Sequence, residues 1–176
     1  AAACGRSQLW QEAIAVLHHL HRQELQPDGV LCNVIISACE KGGQWQQSLA
    51  LLCTMQELCA SQDKVSFSAA ISACEKVRRW SHALALLAEM QSKLVETDLI
   101  VWNSVVSACE KGRQWKWALA LLEEMHRLLM LPDVVTCNAA ISACEKGGLW
   151  QEAFQLFEGL LLVQLQPDAI TCNALI

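Results

Sequence analysis

The chain has 176 residues, enough for one ordinary domain with a sizeable core. It is 53% hydrophobic, with 3 Pro, 8 Gly and no Tyr, which excludes a disordered chain, and no uninterrupted apolar run approaches the roughly 20 residues of a membrane span. A formal net charge of −5 counts against indiscriminate binding of nucleic acid, but not against a binder whose positive charge is confined to one surface.

The chain opens with Ala1-Ala2-Ala3-Cys4 inside a helical pattern, and residues 1–28 read as a partial unit containing Trp10. The first complete unit spans 29–63. Its Cys32, Ile35, Ile36 and Cys39 follow the three- and four-residue spacing of an amphipathic helix. Gly42-Gly43 is predicted to end that helix, because Gly accepts the left-handed conformation of a C-terminal cap. A second helix follows with Trp45, Leu49, Leu52 and Met55 on one face, and a polar loop closes on Asp63. The unit at 64–98 repeats the pattern and closes on Asp98, but Val77 replaces the helix-ending Gly. A β-branched residue resists positive φ, so this turn is predicted to differ or to be strained by about 1 kcal/mol. The unit at 99–133 closes on Pro132-Asp133 and the unit at 134–168 on Pro167-Asp168, where Pro stops the helix. Residues 169–176 begin another unit. A start without Met and a stop at Ile176, both within helical patterns, read as a piece of a longer array.

The repeat is regular. Trp10, Trp45, Trp80, Trp115 and Trp150 fall 35 residues apart, and Ser-Ala-Cys-Glu-Lys recurs unchanged at 37–41, 72–76, 107–111 and 142–146. No segment alternates like a strand. A single hairpin cannot bury its apolar faces, whereas stacked neighbours can, so the predicted fold is all-α: a superhelical solenoid of helical hairpins. Of the ten Cys, Cys4, Cys39, Cys74, Cys109 and Cys144 occupy one matching helical position per unit. Such Cys pack as small hydrophobes rather than as a disulfide framework, which suggests a reducing compartment or an organelle interior.

The first helix of each unit also has a face that is not core. At about 100° per residue, Trp102, Val105, Val106 and Cys109 gather on one side, opposite Ile100, Asn103, Ser107, Glu110 and Lys111. The same stripe returns as Val30, Asn33, Ser37, Glu40, Lys41 and as Val135, Asn138, Ser142, Glu145, Lys146, with Ser68 in the Asn position of the second unit. Stacking sets these stripes side by side, roughly 8–10 Å apart. Each step then offers an amide or hydroxyl for a base edge, a Lys for a phosphate and an aliphatic side chain for a base's flat face. A solvated face copied by duplication would carry the same residues.

Val-Val-Thr-Cys-Asn at 134–138, the hairpin that follows and the closing Pro167-Asp168 resemble the pentatricopeptide repeat, in register along the whole chain. The resemblance implies a right-handed superhelix that binds single-stranded RNA one nucleotide per unit. It implies base selection by Asn33 with Asp63, Ser68 with Asp98, Asn103 with Asp133 and Asn138 with Asp168, and a further contact from Asn173. Asn with Asp resembles the family's uracil-preferring pair and Ser with Asp its guanine-preferring pair, giving U-G-U-U from 5′ to 3′. By the same match, Val30, Val65, Ile100, Val135 and Ile170 sandwich bases, and Lys41, Lys76, Lys111 and Lys146 contact phosphates. Four such contacts would give a log–log salt slope of about −3. The family usually has Tyr where this chain has Cys32, Phe67, Trp102, Cys137 and Cys172, positions expected in the core, as are the Trp residues that open the second helices. The resemblance further implies a mitochondrial or chloroplast protein acting in RNA processing, stability, editing or translation, with other RNA-processing proteins as further partners.

The alternative is a helical-repeat scaffold holding a protein or peptide in its groove. Exposed aromatics on the stripe would mark it, and the stripe has none. An enzyme is not expected within these residues: Cys-x-x-Cys and His-x-Glu are absent, as are a Gly-rich phosphate loop and a Gly-x-Ser-x-Gly elbow. Cys53 and Cys59 lack a paired His cluster, and His18, His19 and His21 read as solvated surface, so neither metal nor cofactor is expected. Catalytic domains follow such arrays in some members of the family.

Overall fold

A computed structural model describes residues 10–16, 19, 22, 27–57, 62–162 and 165–174. Cys4, His18, His21 and Cys59 lie outside the described residues, and His19 is exposed. After a helical stretch at 10–16 the described elements are α1 (Gly29–Lys41), α2 (Trp45–Glu57), α3 (Lys64–Lys76), α4 (Trp80–Ser92), α5 (Leu99–Lys111), α6 (Trp115–Arg127), α7 (Val134–Lys146), α8 (Trp150–Leu162) and α9 (Ala169–Asn173). There is no strand among the described residues.

Each odd-numbered helix starts at the Asp that closes the preceding unit. Asp28, Asp63, Asp98, Asp133 and Asp168 have extended backbones, and their carboxylates accept the N–H groups of Leu31, Ser66, Val101, Thr136 and Thr171. This satisfies one of the orphan donors at the helix start and places negative charge at the positive end of the helix dipole. These Asp cap helices rather than only close loops, and the local signal for it is Asp-x-x-Ser/Thr at 63–66, 133–136 and 168–171.

α1, α3, α5 and α7 end in paired bonds of the Schellman type: Gln44, Arg79, Gln114 and Leu149 donate their N–H groups back to the carbonyls of Cys39, Cys74, Cys109 and Cys144 at 2.8–2.9 Å. The left-handed residue between is Gly43, Arg78, Arg113 or Gly148. The strain predicted at Val77 is therefore misplaced by one residue. Val77 has φ −105°, and the positive φ falls on Arg78 at 59°. Gly at the Val77 position serves instead for close approach. A Cβ on Gly42, Gly112 or Gly147 would meet the ring of Trp10, Trp80 or Trp115 from the preceding unit at 2.4–2.6 Å. Where Val77 fills that space, Trp45 packs edge-on against His82, with the Arg79 guanidinium 4.8 Å from its ring centre.

The odd-numbered helices form one layer, α1 against α3, α3 against α5 and α5 against α7. α2, α4 and α6 each pack on the first helix of their own unit and of the next, and α8 packs on α7. The result is a solenoid of consecutive hairpins with a continuous core from Cys32 to Ala143, including Phe67, Met90, Trp102 and Met125. Burial pushes the Cys109 thiol up to about 12 and those of Cys74 and Cys144 to about 11, consistent with Cys as a packing residue. Two expected core positions differ: Cys172 and Trp150 are exposed. No helix among the described residues is long and apolar enough to cross a membrane.

Candidate nucleic-acid interface

Because the first helices lie side by side, so do their outer stripes. Val30, Val65, Ile100, Val135 and Ile170 recur at one position per unit and are 57–71% exposed. A row of aliphatic side chains left in water, one near each helix start, is a periodic apolar stripe on this face.

About one turn further along α1, α5 and α7, residues assigned to base selection meet. Asn33 Nδ2 donates to the Asp63 carboxylate at 3.0 and 3.2 Å, Asn103 to Asp133 at 3.1 and 3.3 Å, and Asn138 to Asp168 at 2.9 Å. A carboxylate only accepts, so each amide must turn its NH₂ toward the Asp. The Asp in turn is immobilised by capping the next helix. Sequence separation of 30 residues is bridged because the closing Asp of one unit folds back across the start of that unit's own first helix.

A third residue, absent from the sequence reading, completes two of these pairs. The Thr171 hydroxyl lies 2.6 Å from Asn138 Oδ1 and 3.0 Å from the Asp168 carboxylate, and Thr136 bridges Asn103 and Asp133 in the same way. With Oδ1 held by Thr and one Nδ2 hydrogen held by Asp, each amide keeps one N–H to offer. Ser66, at the matching place for Asn33, donates instead to the Asp63 carbonyl at 2.8 Å, and Asn33 Oδ1 is buried with no partner. The signal for this triad is the Thr or Ser three residues after Asp63, Asp133 and Asp168.

The second step is built differently. Among the described residues no hydrogen bond joins Ser68 to Asp98; Lys64 holds Asp98 at 2.7 Å, and Val101 stands where Ser66, Thr136 and Thr171 place a hydroxyl. The acids here are stabilised as anions. Burial pushes Asp133 up, but hydrogen bonds from Thr136 and Asn103 outweigh it and hold the carboxyl below its ordinary range. Burial likewise opposes, and Lys64 and the Val101 N–H outweigh, at Asp98. The Thr171 N–H leads the same shift at Asp168.

Three of the four lysines assigned to phosphates pair with a Glu of the preceding unit. Lys76 Nζ lies 2.7 Å from Glu40 of the preceding unit and Lys111 2.7 Å from Glu75, and Lys146 pairs with Glu110. Ser72, Ser107 and Ser142 donate to the same Glu oxygens at 3.1, 2.9 and 3.2 Å. Lys41 and Asn173 are exposed. No group of three or more His, Cys, Asp or Glu gathers as a metal site among the described residues.

The chain is similar to known proteins at both levels. A model described as "Pentatricopeptide repeat-containing protein" matches residues 1–125, and one described as "PPR repeat family" matches 132–176. Among curated proteins no sequence matches. The crystal structure of the pentatricopeptide repeat protein PPR10 from maize is 22% identical, with a TM-score of 0.71 over 94% of this chain. PPR10 in complex with an 18-nt psaJ RNA element is 26% identical, with a TM-score of 0.75 over 99%. The chain spans about a quarter of those two proteins, 24% and 26%. The PPR domain of Arabidopsis thaliana protein-only RNase P 1, in complex with tRNA, shares the fold at a TM-score of 0.80 and 11% identity, covering 93% of this chain and 86% of that one.

Proposed function

This chain belongs to the pentatricopeptide repeat family, and from that premise we propose that it binds single-stranded RNA along the row of first helices, one nucleotide per unit. The observation that carries the proposal is the recurrence of a locked Asn–Asp pair beside an exposed aliphatic side chain in three units. Two of these structural relatives are described in complex with RNA, which supports the same reading.

The base preferences follow from the residue chemistry and the family match together. At Asn33–Asp63, Asn103–Asp133 and Asn138–Asp168 an amide beside a carboxylate suits uracil, whose edge carries both carbonyl acceptors and an N–H donor. At Ser68–Asp98 the smaller hydroxyl leaves room for a purine, and guanine is the assignment. Val30, Val65, Ile100 and Val135 sandwich the bases, with Ile170 and Asn173 at the next step. The proposed site reads U-G-U-U, and the proposed role is RNA processing, stability, editing or translation in mitochondria or chloroplasts. Binding is the activity assigned to these units. The stripe's lack of exposed aromatics weighs against the peptide-scaffold alternative.

The test is a single-position binding screen on Asn103→Thr. The expected outcome is a shift at the third nucleotide from U toward G, with the other positions unchanged. An unchanged preference at that nucleotide would overturn the assignment of Asn103.

A further inference from the structure

The pairing of the groove lysines has a direct consequence for how the array would meet RNA. Glu40, Glu75 and Glu110 are 14–19% exposed, each fixed by a Ser hydroxyl of the following unit and by that unit's Lys. Their partners Lys76, Lys111 and Lys146 are 36–47% exposed, so the ammonium groups lie at the surface while their counter-charges lie beneath. Counting the charges of this face, Asp63, Asp98, Asp133, Asp168, Glu40, Glu75, Glu110 and Glu145 outnumber Lys41, Lys64, Lys76, Lys111 and Lys146. A face of that balance attracts a polyanion weakly. Phosphate attraction is independent of sequence, and base contacts carry the discrimination.

We propose that Glu40, Glu75 and Glu110 are specificity determinants: they hold Lys76, Lys111 and Lys146 off the RNA backbone, so that strands whose bases do not match gain little from charge alone. The inference rests on the RNA-binding reading above. It accounts for an acidic residue kept next to each Lys on a surface meant for a polyanion. The same Glu ties each unit to the next through Ser and Lys, so the device also fixes the step between nucleotides. Gln at these positions keeps the side-chain volume and an oxygen for the Ser hydroxyl while releasing the Lys.

The experiment compares the wild-type chain with the triple variant Glu40→Gln/Glu75→Gln/Glu110→Gln. Affinities for U-G-U-U-containing and scrambled single strands are measured over a salt series, with circular dichroism to establish that both proteins are folded. The variant is expected to bind both strands more tightly at low salt. Its log–log salt slope should be steeper by about 2, from roughly 0.7 per released phosphate contact. Its preference for U-G-U-U should fall. A second variant, Lys76→Gln/Lys111→Gln/Lys146→Gln with the Glu retained, is expected to keep the wild-type slope. Selective wild-type binding with an unchanged slope in the Glu variant, or a slope lost in the Lys variant, overturns this inference alone. No binding of either strand by wild type or Glu variant overturns it together with the RNA-binding reading.

Discussion

At the scale of single residues, the structure turns a list of polar side chains into locked triads. An Asn inside a helix is a poor choice unless its amide is partnered, and Asn33, Asn103 and Asn138 donate to Asp63, Asp133 and Asp168. Less legible in the sequence is the contribution of the neighbouring unit. Thr136, Thr171, Glu40, Glu75 and Glu110 act across 32–36 residues of sequence, a distance at which helical periodicity carries no signal. The one imperfect triad gives a prediction. Asn33 Oδ1 is buried without a partner because the Ser66 hydroxyl turns to the Asp63 backbone. Thr stands at the matching buried sites 136 and 171 and reaches the amide. Ser66→Thr should raise stability by about 1 kcal/mol, the cost of one unmet buried acceptor. Denaturant unfolding of the pair of proteins reads it, and a lower midpoint for the variant would show that Asn33 is satisfied some other way.

At the scale of elements, the helices and their order were legible because each carries its own apolar stripe, its Trp and its closing Asp. The turns were legible only in part. The pair Gly42-Gly43 ends α1 with the left-handed residue at Gly43, whereas in the second unit the backbone turns at Arg78, one residue after Val77. The Gly at 42, 112 and 147 answers to a Trp ring from the preceding unit, a contact that a single hairpin cannot reveal. Two second helices end on left-handed residues that are not Gly at all, Leu94 at φ 55° and Leu129 at φ 56°. Both side chains are more than nine-tenths exposed and contribute little packing. Leu129→Gly should therefore stabilise the chain by about 1 kcal/mol, the relief of a left-handed L-residue outweighing the added freedom of the unfolded chain. A fall in melting temperature on that substitution would argue that Leu129 is held by contacts rather than strained.

At the scale of the whole molecule, one core runs through every complete unit, and the ionised Asp residues that close the units tie stability to pH. The carboxyls of Asp98, Asp133 and Asp168 are held below their ordinary value of 3.8. A depressed folded-state pKa contributes stability that is complete above the unfolded value and is lost as pH falls through the folded one. Melting temperature should thus be insensitive to these groups near neutrality and drop as pH falls below about 4, and a drop already complete at about pH 5 would point to other groups. The buried thiols report the same core. Cys53 and Cys172 are exposed and should react with a thiol reagent in the folded protein, while Cys39, Cys74, Cys109 and Cys144 should react only on unfolding. Rapid labelling of all of them in the native state would contradict the continuous core. The proposed function depends on four units reading in register. The most direct measurement is the affinity of the chain for single strands containing U-G-U-U and for strands containing A-A-A-A at that place. The account predicts clear preference for U-G-U-U; equal affinity for the two would contradict it.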